Sequence, residues 1–431
     1  MKSKIHEYQN NHLPMSKTIL KTTLLVFLLI TFSCSKDDAP AQEPIGQPEP
    51  MPEPEPENQA PTQVSLLSPA PDAENIDVRP TFSWEAATDP DGDAITYEVY
   101  ADTTVTPSSL IGTTTNTNFE VDERLSLLEN YNWKVVTKDG KGGEAESDNQ
   151  SFDTRTVITS IATNSAEFGR RGAHSSVVFN DKVWVISGRV FDAEDNYLGE
   201  PNDVWNSDDG VNWTLVTSNA NFPGRSRHSS VVFDNKIWIL GGFGETGKLT
   251  DIWNSEDGMN WTLVSDNNVL DFDDDIVMVF DNKLWRIDDS VWFSEDGVVW
   301  SLAYNNSRIE GSLVSYQDKI LVVDLKDSEV HISEDGFNWE TLENNLNTLL
   351  TDVSSIDEDI NVFDNKMWSL GSFENKLVYS NDGVQWSFAN EASVMPILFN
   401  YTTTVLNDKL WVVGGYSTGI NNAQSSVYFI D

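Results

Sequence analysis

Cysteine is nearly absent. The 431-residue chain holds one, Cys34, so no intrachain disulfide and no cysteine-based metal site can form. Histidine is scarce as well: of five, only His174, His228 and His331 lie beyond the first 33 residues, too few for a histidine-rich metal centre. Basic charge is the third shortage. Against 69 Asp and Glu stand 27 Lys and Arg, a formal net charge of −42. That balance excludes nucleic acid as a partner, because little could neutralise a run of phosphates, and it suits a solvated surface held apart by its own repulsion. There is no G-x-S-x-G elbow and no phosphate-cradling glycine loop.

The N-terminal region carries addressing information rather than a fold. Lys17 and Lys21 precede an apolar run over residues 24–32 (LLVFLLITF), too short to span a bilayer and readable as a signal-peptide core. Met15 is a more natural start for that signal than Met1. The segment Thr31-Phe32-Ser33-Cys34 resembles a bacterial lipobox, with Thr31 where Leu is usual; the alternative is a plain signal peptide with an incidental cysteine. Ser35-Lys36-Asp37-Asp38 resembles the acidic tetrapeptide that directs Bacteroidota lipoproteins to the outer face of the outer membrane. These resemblances imply residues 1–33 as a signal, acylation at Cys34, and a surface-exposed, lipid-anchored protein whose only membrane contact is that anchor. Stable anchoring requires more than one acyl chain. Residues 34–61 contain PEPMPEPEPE, a Pro/Glu alternation that favours extended polyproline II. About 20 such residues at roughly 3 Å each would lift the next domain some 60 Å from the membrane.

Residues 62–155 alternate apolar and polar side chains in Thr81-Phe82-Ser83-Trp84, in residues 95–100 and in residues 131–136, with turn residues between. That pattern predicts a β-sandwich. With Trp84 on an early strand, Tyr97 or Tyr100 on the next, and Leu128 and Tyr131 on a late one, the segment resembles a fibronectin type III domain. Asp89, Asp91 and Asp93 offer hard oxygens at alternating positions, as calcium requires, and equally suit a Pro/Gly turn between strands.

The remaining stretch, residues 156–431, repeats one unit six times. The piece F-D-N-K-x-W occurs at 233–238, 280–285 and 363–368, with variants ending at Trp184 and Trp411 and a degraded copy at 316–321. A second piece, S-x-D-G-x-x-W, ends at Trp213, Trp261, Trp300, Trp339 and Trp386. Successive copies lie 36 to 54 residues apart, the period of propeller blades. Each unit reads as four strands, a to d: in the second, residues 228–233, 237–240, 251–253 and 261–264. The Asp-Asn pair makes a tight a–b hairpin, and S-x-D-G turns c into d. Arg227-His228 before strand a, Gly241-Gly242 after strand b and Trp261 in strand d resemble the kelch repeat. Gly414-Gly415 matches again, Ser187-Gly188 and Gly371-Ser372 match in part, and units three and four lack the pair. S-x-D-G-x-x-W is also similar to the Asp-box of sialidases, one residue shorter between Asp and Gly. The fold class expected is therefore all-β, a sandwich followed by a six-bladed kelch-like propeller.

Residues 159–168 resemble 214–222 at the end of the first unit, so an N-terminal strand is expected to complete the last blade. Thirteen of the fifteen tryptophans fall in the repeat, in the columns 184, 238, 285, 368, 411; 205, 253, 292; and 213, 261, 300, 339, 386. Residues repeated from blade to blade pack between sheets. Binding is sought instead in what varies: the b–c and d–a connections, longest at residues 189–202, 243–250 and 416–424, which cluster over blades 6, 1 and 2. Arg170, Arg171, Arg189, Arg225 and Arg227 lie in that sector, five of the ten arginines beyond Cys34. The candidate contact set is Arg171, Arg189, Arg225 and Arg227 for an anionic group, with Phe191, Tyr197, Phe243 and Tyr416 as apolar contacts. The competing expectation is that these arginines, with His174 and His228, brace neighbouring blades. Asp271, Asp273, Asp274 and Asp275 form a further acidic group, readable as a calcium site or a solvated loop.

The kelch resemblance admits a copper–radical oxidase only with a thioether cysteine, and Cys34 is assigned elsewhere. The reading is a monomeric surface binding module for an extracellular glycan or protein, with no cofactor beyond calcium at Asp89, Asp91 and Asp93. A carbohydrate-active hydrolase or epimerase with a carboxylate pair at the propeller mouth is the alternative, since such separations are set by the fold; a structural adhesive protein is the third. Replacing Cys34 by Ala should abolish incorporation of labelled palmitate and release the protein from the membrane fraction; label retained in that variant would remove the lipobox reading.

Overall fold

The computed structural model describes residues 56–431 apart from 267–275, 288–289, 306–308, 310, 325–326, 350–359, 374–375, 393–394, 397 and 418–421. The signal, the lipidation site and most of the linker, together with the acidic group at Asp271, Asp273, Asp274 and Asp275, lie outside the described residues. Residues 57–431 form one compact unit, almost wholly β.

Two sheets build the first part. Leu66–Ser68, Thr81–Trp84 and Asn118–Glu120 form one; Ala73–Ile76, Gln150–Thr154, Asn130–Lys138, Thr96–Asp102 and Leu110–Thr114 follow in that order in the other, with Glu144–Glu146 paired to Asn130–Lys138. Alternation sends Phe82, Trp84, Tyr97, Val99, Trp133, Val135 and Phe152 into one shared core. The Tyr131 hydroxyl accepts the Ser126 N–H at 3.1 Å, pinning the connection that precedes its strand.

Six four-stranded antiparallel sheets and three smaller ones make up the rest among the described residues. The first runs Ser175–Phe179, Lys182–Ile186, Val204–Ser207, Thr214–Thr217, and the second Ser229–Phe233, Lys236–Leu240, Ile252–Ser255, Thr262–Ser265. Their innermost strands are neighbours in a closed cycle, so the sheets stand as blades around an axis. In the last, Thr402–Leu406, Lys409–Val413 and Val427–Ile430 come from the C-terminal side, and Thr159–Thr163 pairs antiparallel with Val427–Ile430 as the outer strand. The N-terminal strand thus closes the ring as the likeness of residues 159–168 to 214–222 predicts.

Local chemistry explains the turns. All six a–b hairpins place two consecutive non-glycine residues at positive φ, from Asn180 and Asp181 (51° and 56°) to Asn407 and Asp408 (54° and 57°), which Asn and Asp tolerate best. In the c–d turn Ser207 Oγ accepts the Gly210 N–H at 2.8 Å, and Asp209 Oδ1 accepts those of Val211 and Asn212 at 2.9 and 2.8 Å. The same bonds recur around Ser255 and Asp257, and around Ser333 and Asp335.

These turns also couple the blades. A Cβ added at Gly258 would lie 2.1 Å from the Trp184 ring of the preceding blade; at Gly297, 2.7 Å from Trp238; at Gly336, 2.1 Å from Trp285; and at Gly210, 2.2 Å from Trp411 across the closure. Each indole is fixed in turn by its N–H, which Trp184 donates to Phe179 O and Trp238 to Phe233 O, both at 2.8 Å. Where the tryptophan column is broken by Leu321, Gly383 faces that leucine instead at 3.2 Å.

Blade 6 has no such turn, because its outer strand comes from Thr159–Thr163. Trp368 of blade 5, fully buried, shares its hydrophobic cluster with Val78 and Leu127 of the sandwich and with Val157 of the connection. The polar contacts of this junction fall on a–b turns. Asp364 Oδ2 accepts the Leu127 N–H at 2.6 Å, Lys366 Nζ meets Glu129 at 2.6 Å, and Arg124 donates to Asp408 O at 2.8 Å. The sandwich therefore sits on the a–b face, and the b–c and d–a loops occupy the opposite one.

Gly258→Ala should destabilise the protein by about 2–4 kcal/mol, combining positive φ (71°) with a clash against Trp184. Gly140→Ala, also at positive φ (74°) but with open space around it, should cost about 1–2 kcal/mol. Equal losses in urea denaturation would show that the Trp–Gly contact does not couple the blades.

Candidate functional site

On the loop face the three long b–c connections are short β-hairpins. Arg189–Phe191 pairs with Tyr197–Gly199, Phe243–Gly244 with Gly247–Lys248, and Tyr416–Ser417 with Asn422–Ala423. Each is tied to the d–a segment beneath it: Arg170–Gly172 pairs with Arg189–Phe191, Ser226 bridges Phe243, and Leu398–Phe399 pairs with Tyr416–Ser417. The absence of a side chain at Gly172 lets the Tyr416 ring lie over it, where a Cβ would be only 2.4 Å away.

Two of the four predicted arginine contacts belong to the interior, which corrects that expectation. Arg171 is 1% exposed; it bonds Asp203 through both Nη atoms at 3.0 and 2.8 Å and donates to Ser187 O and Phe168 O. Arg225 is fully buried and repeats the arrangement with Asp251 at 2.8 and 2.9 Å and with Gly241 O and Pro223 O. Trp205 and Trp253 complete both sets, each donating its indole N–H to the same aspartate at 2.7 Å. Burial works to raise the Asp251 carboxyl, but the bonds and charge of Arg225 outweigh it and hold the group below its ordinary value. All five donors of Arg171 and four of the five of Arg225 point at oxygens of the protein, and both guanidiniums are buried, which makes them braces rather than ligand contacts. The recurrence of Asp-x-Trp at 203–205 and 251–253 is the sequence signal that could have revealed them as braces.

His174 and His228 also brace. His228 Nε2 bonds Ser175 Oγ of blade 1 at 2.7 Å, and His174 Nε2 bonds Thr402 Oγ1 of blade 6 at 3.0 Å. Burial, then the Arg171 charge, lowers His174 to about 3, and burial with Arg225 and His174 holds His228 well below its ordinary value. Both are neutral in the fold.

Arg189, Arg227, Phe191, Tyr197 and Tyr416 are gathered together. Phe191 lies 5.7 Å from Tyr197 and 5.6 Å, edge to face, from Tyr416. At their centre stands Glu200, which the sequence did not single out: Arg189 Nε and Ser226 Oγ both approach its Oε1 at 3.4 Å. Burial, then the hydrogen bond to Glu200, pushes the Tyr197 hydroxyl up to about 12. Burial also raises Tyr416, while Arg189 and Arg227 pull the other way, so both cations lie close to that ring. Phe243 lies on the blade 2 hairpin, its backbone bridged to Ser226 and Lys248 Nζ 5.9 Å from its ring centre. Among the described residues every propeller tryptophan is buried or half-buried.

In the sandwich, carboxylate oxygens of Asp89, Asp91 and Asp93 lie within 4.8 Å of one another and could hold a metal ion. Asp89 Oδ1 meanwhile accepts the Asp91 and Asp93 N–H groups at 2.9 and 3.0 Å, and Lys141 pairs with Asp93 at 2.6 Å.

The fold and its loop face define a β-propeller, an architecture that fits a binding or an enzymatic module. Residues 207–353 match the family model described as a DUF6242 beta propeller domain. Among solved structures, the one titled "Structure of YjhT", a kelch-type propeller, is similar at 12% identity over 62% of this chain and 96% of its own, with a TM-score of 0.48. None of the curated proteins matches the chain.

The neutral histidines set a pH dependence. An unfolded histidine binds a proton near pH 6.5 and the folded His174 only near 3, so stability present above 6.5 is lost as pH falls through that window. Each such group contributes up to about 1.4 kcal/mol per pH unit. The turn aspartates Asp209 and Asp335, lowered from 3.8 to about 2, add their loss only below about pH 4. Urea midpoints should therefore decline between about pH 6.5 and 4, and less steeply in His174→Gln; identical slopes would refute the buried neutral state.

Proposed function

We propose that the chain is a surface-displayed lipoprotein, acylated at Cys34, whose fibronectin type III-like domain carries a six-bladed kelch-like propeller that binds an extracellular glycan or protein. The loop face over blades 6, 1 and 2 is the binding face. One observation carries this reading. Hairpins from blades 1 and 6 meet in a mixed aromatic and polar cluster around Glu200, on the face opposite the one that docks the sandwich. A stalk entering through the sandwich would leave that cluster pointing away from the membrane. Rigid blades with non-repeating loops are the usual arrangement for recognition. Calcium at Asp89, Asp91 and Asp93 belongs to the same proposal as a stiffener of the sandwich loop, with Lys141 as the competing cation.

The test is a glycan and protein binding screen with residues 57–431, followed by variants. Arg189→Ala and Tyr197→Ala should each weaken binding at least about tenfold, a loss of about 1.4 kcal/mol, with an unchanged melting temperature. Arg171→Ala should instead cost about 3–5 kcal/mol of stability, because it leaves Asp203 buried without its partner. Unchanged affinity in the first two variants would remove the assignment of the face.

A further inference from the structure

We infer that the loop-face cluster selects an uncharged carbohydrate ring over an acidic one, with Glu200 as the residue that sets the selection. The inference rests on the glycan-binding reading above and names its ligand class.

Charge balance is the first reason. In this sector Arg170 faces Asp195, Arg171 faces Asp203, Arg189 faces Glu200 and Arg225 faces Asp251. Four of the five arginines that suggested an anion site thus come with their own anions. A carboxylate or sulfate approaching Arg189 would sit beside the Glu200 charge, which is only 13% exposed and weakly screened there.

Donor and acceptor geometry is the second. Arg189, 38% exposed, offers N–H donors, and Glu200 beside it offers acceptor oxygens. A hydroxyl both donates and accepts, so a pair of adjacent hydroxyls can bridge the two; a carboxylate only accepts, and half of that match is lost. Tyr197 supplies the third element. The residue is 52% exposed and its ring sits against Phe191, a rigid apolar surface for the C–H face of a pyranose. Aromatic surface next to a paired donor and acceptor is complementary to a neutral polyol.

The experiment applies the full-length chain in detergent to an array carrying neutral, uronic-acid and sulfated oligosaccharides, at low and high salt. The wild type should bind neutral members with little salt dependence. Glu200→Gln keeps the shape and removes the charge; it should gain at least about tenfold in binding of acidic members, and that gain should fall with salt. Should Glu200→Gln fold poorly, Arg189→Gln serves: neutral binding should drop and acidic binding stay weak. A wild type that prefers acidic glycans, or a Glu200→Gln variant with unaltered preference, overturns the inference and leaves the binding module standing. No glycan bound by any form overturns the glycan reading itself.

Discussion

One contact propagates around this molecule: an indole of one blade lying on the glycine of the next blade's c–d turn. Alone, a four-stranded sheet of this kind exposes an apolar face and has nothing to bury it against. The Trp184–Gly258, Trp238–Gly297, Trp285–Gly336 and Trp411–Gly210 contacts supply that burial in series. Glycine is required twice over, for the positive φ of the turn and for the closeness of the ring. Because the last of these contacts spans the closure, the ring depends on Thr159–Thr163 completing blade 6.

That closure has a consequence at the neighbouring corner. Taking its outer strand from the N-terminal side leaves blade 6 without the turn that would cover Trp368. Val78, Leu127 and Val157 occupy the same hydrophobic cluster as that indole, and Asp364, Lys366 and Asp408 tie the a–b turns to the sandwich. Burial raises the Asp364 carboxyl above its ordinary value, a sign of how fully the junction excludes water. The sandwich is therefore part of the ring's packing as well as its mount, and its seat on the a–b face leaves the loop face open.

The loop face shows how similar residues divide between scaffold and surface. Arg171 and Arg225 are locked between blades by Asp203 and Asp251, while Arg189 reaches the surface beside Glu200. Sequence proximity placed all of them in one sector, and that sector exists. What it could not separate is an arginine whose donors are consumed by backbone and carboxylate from one that shares a single carboxylate at the rim. Burial makes that distinction, and burial is a property of the assembled blades.

Linear pattern was enough for the repeat and its consequences: the all-β class, the strand and turn positions, the positive-φ pairs in the a–b hairpins, the strand that completes blade 6, and the assignment of the tryptophans to packing. All of these obey local rules, alternation, turn chemistry and period, that need no knowledge of distant neighbours. Assembly of the blades was needed to settle which glycine receives which indole, that Val78 and Leu127 share the Trp368 cluster, and that Glu200 lies among the loop-face aromatics. Glu200 occurs once, in one loop, with no repeat to mark it. Arg189 and Tyr197 share its own hairpin, but Ser226 comes from the segment before blade 2 and the Tyr416 ring from blade 6. Non-local packing sets those last distances, and no spacing along the chain encodes them.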